Sequence, residues 1–170
     1  MSGWYKFLLV CHLTAAIVGF GAVFLNGLYG AESKKRQGIG GLAITEANHK
    51  VSTIGEYFIY TVPIFGILMV LASPHDVWKF SQTWIWLALT LYVIALGISH
   101  GVMIPTVKKM EGLMRELNAM GPPPAGAAPS GPPPQVMQME ALGKKLATFG
   151  PLLNVMLIVI ISLMVWKPGV

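Results

Sequence analysis

Apolar positions arrive along this chain in four blocks, Tyr5 to Tyr29, Val51 to Ala72, Gln82 to Val107 and Ala147 to Trp166, with very few charges inside them. A helix needs about 20 mainly apolar residues to cross a hydrocarbon core of about 30 Å, so each block is read as one spanning helix. The expectation is an all-α integral membrane four-helix bundle forming a single domain. The first block is longer than the roughly 7–15 apolar residues of a cleavable signal and is counted as a span.

The connections differ in kind. Residues 30 to 50, rich in glycine and basic side chains, read as a loop with a short interfacial turn. Met110, Leu113, Met114 and Leu117 recur at helical spacing, which predicts that the third helix continues beyond the membrane as an amphipathic extension. The stretch "GPPPAGAAPSGPPP" then interrupts it, and a flexible Pro/Gly/Ala-rich linker is expected over residues 119–135. No basic or aromatic anchor flanks its prolines, so a linker is preferred to a docking peptide.

Composition agrees with the pattern: 54% of residues are hydrophobic and 11% charged. Charge adds orientation. Lys34, Lys35, Arg36, Lys50, Lys108, Lys109, Arg115, Lys144 and Lys145 lie in the two long connections, whereas Lys6, Lys79 and Lys167 lie on the other side. The positive-inside rule therefore puts both long connections in the cytoplasm and both termini outside. The net charge of +5 follows from this topology and from anionic headgroups, with no need for nucleic acid. Cys11 is the sole cysteine and can form no internal disulfide.

Polar groups inside the spans carry the candidate chemistry, because ionisable residues in lipid are costly. On the first helix His12, Ala15, Gly19, Ala22 and Asn26 share a face of small residues with a polar group at each end. Such a face admits either another helix or a flat macrocycle. His49, Glu56, Tyr60 and Pro63 share a stripe on the second helix, and His100 lies on the third. At about 1.5 Å per residue, His12 and His100 are offset by only about 8 Å along the membrane normal. Two readings follow. His12 and His100 could share a haem iron, or His12 could serve one alone, with His49, Glu56 and His100 forming a separate inner-leaflet cluster suited to zinc, copper or iron. Equally, His12 could hydrogen-bond across helices and merely stabilise the bundle. Glu56 must be protonated, paired or exposed to water. His75 reads as a solvated residue of the short outer turn, and the tryptophans as the aromatic belt of the outer interface.

The stretches "CHLTAAIVGFGAVF", "FSQTWIWLALTLYVIALGISHGVMIP" and "LMVWKPG" resemble the bacterial small membrane proteins grouped as domain of unknown function 2269. The first also resembles the opening helix of HemJ-like and copper-resistance D type four-helix proteins. That resemblance implies a bacterial inner-membrane location and a haem b ligated by His12; the small-residue face then puts Ala15 and Gly19 beside the ring, and the depth arithmetic allows His100 as a second metal ligand. HemJ-like proteins carry a lysine about eleven residues before the third-helix histidine; Leu89 stands there, and Phe80 to Val107 holds no Lys or Arg. Haem binding is thus implied without protoporphyrinogen oxidation. Two functions are expected from these observations: a b-type haem protein in electron transfer or porphyrin redox chemistry with a membrane redox partner, or a non-catalytic accessory subunit of a larger complex. No triad, phosphate loop or zinc-protease signature names a reaction.

Overall fold

The computed structural model describes residues 2–36, 38–121, 131 and 133–169. It is all-α, with four helical runs long and apolar enough to cross a membrane: Gly3–Lys35, Ile39–Leu71, Thr83–Met120 and Pro134–Trp166. This is a multi-pass membrane protein, and its solvent over most of its surface is lipid.

Local chemistry sets the ends of each run. Helix α1 (Gly3–Phe24) begins where the Ser2 hydroxyl accepts the Tyr5 N–H at 3.2 Å, satisfying one of the donors a helix start leaves free. After a break at Leu25, α2 (Asn26–Lys35) continues the same rod, and Gly38, with φ +69°, turns the chain into α3 (Ile39–Leu71). A short turn at Pro74–Asp76 leads to α4 (Thr83–Ile98). A widened π turn, Ser99–Met103, joins α4 to α5 (Ile104–Met120), which stops at Gly121 with φ +71°. Helix α6 (Pro134–Trp166) closes at Lys167, which adopts φ +45°.

The helices exceed the spans read from hydropathy. A run of 33 residues is about 50 Å long. Residues 30–50, expected to be a loop, are helical apart from the turn before α3. Polar partners explain this: the Ser33 hydroxyl donates to Gly41 O at 2.8 Å and lies 2.7 Å from the Thr45 hydroxyl, locking α2 onto α3. Residues 134–146, outside any hydrophobic block, are helical as well. The amphipathic extension of the third helix is present as α5. The expected linker falls mostly on residues 122–130 and 132, outside the described residues.

Span 1 packs chiefly on span 2, and span 3 on span 4, so the molecule is two helical hairpins laid side by side. The first hairpin is held by small residues. A Cβ added at Gly19 would come within 2.9 Å of the Ile59 backbone nitrogen, and one at Gly55 within 2.6 Å of the Ala22 Cβ. Close backbone approach replaces the hydrophobic drive that lipid cannot supply. The hairpins join through buried Ala88, Tyr92 and Ile160, with Ile59, Leu96 and Leu163 packed around them. Pro63 has no N–H, so Ile59 O loses its helical donor; the Tyr92 hydroxyl supplies the bond instead at 2.9 Å. At the end bearing both termini, Trp78 Nε1–H donates to Tyr5 Oη at 2.9 Å while Lys167 Nζ sits 4.1 Å above the Trp78 ring. Two of the tryptophans expected at the interface therefore also tie loop to termini, Trp84 meeting Trp78 edge-on.

Candidate functional site

His12 lies at the centre of the α1 face that meets α3. Its Nδ1 is 2.9 Å from Val62 O, and a carbonyl only accepts, so Nδ1 carries the hydrogen and donates. Gly66 makes room for the ring: a Cβ there would lie 3.3 Å from His12 Cε1. Ala15 and Gly19, expected beside a porphyrin, are buried directly against α3. Of the two occupants that a small-residue face admits, the structure seats a helix. A groove of about 440 Å³ runs along the α1–α3 seam, lined by Cys11, Thr14 and Ala15 on α1 and by Tyr57, Thr61 and Phe65 on α3, and His12 is not part of its wall. At Gly19 the backbones of α1 and α3 are in contact and leave no space for a ring between them.

His100 belongs to a different place. Its ring meets Glu56 and Tyr60 on α3, which lie roughly a third of a turn around that helix from Val62 and Gly66, where His12 docks. His12 and His100 therefore approach span 2 from different sides, an arrangement that does not favour one shared iron. Among the described residues, no three His, Cys, Asp or Glu side chains gather to hold a metal ion.

What the fold does assemble is a three-membered cluster. The Tyr60 hydroxyl is 2.6 Å from Glu56 Oε1 and 2.5 Å from His100 Nε2, and His100 Nε2 is 2.8 Å from Glu56 Oε1. His100 Nδ1 donates to Leu96 O at 3.0 Å, which fixes the ring. Glu56 and Tyr60 are one helical turn apart on α3 and so share a stripe. His100 sits in the widened turn Ser99–Met103, where the Ile104 N–H reaches back to Ser99 O. Pro105 follows; it has no N–H for the Gly101 carbonyl, its α-helical partner, and its ring crowds that carbonyl, so a widened turn here has a local cause. Six residues separate Glu56 from Lys50 and eight separate His100 from Lys108, placing the cluster about 9–12 Å inside the basic edge of the membrane. It is not enclosed. The His100 side chain is 45% exposed and that of Glu56 26%, on the flank of the bundle.

His49, expected beside Glu56, is instead paired elsewhere. Its Nδ1 lies 2.7 Å from Glu111 Oε2, and Arg115 holds the other Glu111 oxygen at 2.6 Å while reaching Glu46 at 2.9 Å. Two turns of helix separate His49 from Glu56, about 10 Å, which divides the expected inner cluster in two. This network ties the projecting end of α3 to α5. Sequence reasoning passed over it, although the i,i+4 spacing of Glu111 and Arg115 was the available signal. Pro105 was likewise the signal for the turn that carries His100.

No family model, curated protein or solved structure matches the chain.

Proposed function

We propose that this protein is a non-catalytic accessory subunit of a larger membrane assembly, docking through the flank of spans 2 and 3. One observation carries the reading: an ionisable cluster, Glu56, Tyr60 and His100, opens sideways at the depth of the acyl chains. Polar groups at that depth face protein or water and are expensive against lipid. A partner helix offering polar or small side chains would cover them. The bundle itself is sparsely buried, with large apolar side chains exposed along every span, so much of its surface is available for lateral contact. This reading does not call on haem; Gly19, expected beside a ring, packs on the α3 backbone. The cytoplasmic placement of the long connections and a bacterial inner-membrane location belong to the proposal as well, resting on the distribution of basic residues and on the family resemblance.

A photo-crosslinking residue in place of Val93, two turns before His100 and 64% exposed, tests the docking face against one in place of Ile17, 72% exposed on span 1. In native membranes the Val93 position should give a discrete adduct with another membrane protein, and the Ile17 position should give lipid adducts. Lipid adducts from both, with a lone chain in mild detergent, would remove the proposal.

A further inference from the structure

Hydrogen counting around Glu56, Tyr60 and His100 leads beyond docking. His100 Nδ1 faces the Leu96 carbonyl, so its hydrogen is committed there and Nε2 is the nitrogen turned to Glu56 and Tyr60. The phenol brings one hydrogen and can give it to one neighbour. A neutral imidazole beside an ionised carboxylate would then set lone pair against lone pair across the 2.8 Å between Nε2 and Oε1. A second hydrogen is needed in that gap. With it the cluster is neutral overall, either as carboxylic acid and imidazole or as carboxylate and imidazolium. Without it, a net negative charge is left in a poorly solvated place.

We infer that Glu56, Tyr60 and His100 form an intramembrane proton-binding site, in which one exchangeable proton is held between Glu56 Oε1 and His100 Nε2 and the Tyr60 hydroxyl closes the triangle. The surroundings leave few other owners for that proton. Span 2 contributes Tyr57 and Tyr60 at this depth; its next ionisable groups are Lys50, at the basic edge, and His49, which is engaged with Glu111. Span 3 contributes His100 and Tyr92, whose hydroxyl is donated to Ile59 O. Span 1 carries no charged residue between Lys6 and Glu32, its titratable groups there being Cys11, Tyr29 and His12, the last held on Val62, and span 4 carries none between Lys145 and Lys167. Side-chain exposure of 45% at His100 leaves the site open on the flank, about 9–12 Å from the basic edge, within reach of an apolar reagent. The site is independent of the docking proposal, because the hydrogen count holds for a lone chain.

The test uses the full chain purified in mild detergent and the apolar reagent dicyclohexylcarbodiimide. This reagent takes the proton of a carboxylic acid onto its nitrogen while the carboxylate oxygen bonds to its central carbon; the adduct rearranges to a stable acylurea found by peptide mass spectrometry. Glu56 should be labelled, labelling should be lost as the bath is made alkaline, and Glu56→Gln should abolish it. Substituting His100→Ala should displace the pH profile of labelling, since the imidazole no longer shares the proton. The inference is overturned if Glu56 in the folded wild-type chain is unlabelled at every pH, if labelling is the same throughout, or if His100→Ala leaves the profile unmoved. The wild-type arms decide the matter even if a variant fails to fold.

Discussion

Adding one methyl group at Gly19 distinguishes the two occupants of the small-residue face on span 1. In Gly19→Ala the new Cβ would stand 2.9 Å from the Ile59 nitrogen and 3.2 Å from Gly55 O. Both are backbone atoms, so the conflict is relieved only by moving α1 away from α3. Restoring an ordinary contact of about 3.5–4 Å needs a shift of about 0.5–1 Å, which forfeits about a quarter to a half of each dispersion contact along the crossing. Overpacking of this kind costs about 1–3 kcal/mol, while replacing a helical glycine returns up to about 1 kcal/mol. Gly21→Ala is the control, because nothing lies within 4 Å of a Cβ there and only the gain operates. The difference between the two variants isolates the steric cost, about 1–3 kcal/mol, or roughly fivefold to 150-fold in the unfolding equilibrium. Denaturation in mixed detergent–SDS micelles, followed by circular dichroism, measures it. Equal stability of the two variants would mean that α1 and α3 are not in backbone contact, and the face would again be free for a macrocycle.

Further outcomes follow from other contacts. Tyr92→Phe should destabilise the bundle by about 0.6–2 kcal/mol in the same assay, because it strips the donor from the carbonyl that Pro63 leaves unpaired. Ser33→Ala should cost about 1 kcal/mol and loosen the α2–α3 turn, read as faster amide exchange near Gly41. Protein purified in mild detergent should show no Soret band before or after dithionite, and His12→Ala should lower stability without a spectral change; a Soret band lost in His12→Ala would reinstate haem. In a Cys11→Ser background, an impermeant maleimide applied to intact cells should modify cysteine at Lys167 and spare cysteine at Lys34, and the reverse pattern would invert the orientation.

The number, order and helical nature of the spans were legible in the sequence because lipid admits one solution for an apolar run: every backbone group must be bonded within the helix. Depth was legible too, since rise per residue is constant, and that was enough to bring Glu56 and His100 to the same leaflet. Rotation and contact were not. Whether the face bearing Ala15 and Gly19 meets a ring or a helix depends on which neighbour arrives. That choice was made by a complementary small residue, Gly55, many positions away on α3. Hydropathy also misplaced the helix ends, because a helix needs apolar residues only while it is in lipid; beyond the membrane α2, α3 and α5 persist through Ser33, Thr45, Glu46, His49, Glu111 and Arg115, whose value depends on partners across the fold. Tyr60 shows the same division: its place on the stripe with Glu56 follows from helical periodicity, but the ring that completes the triangle is delivered by a widened turn in another span.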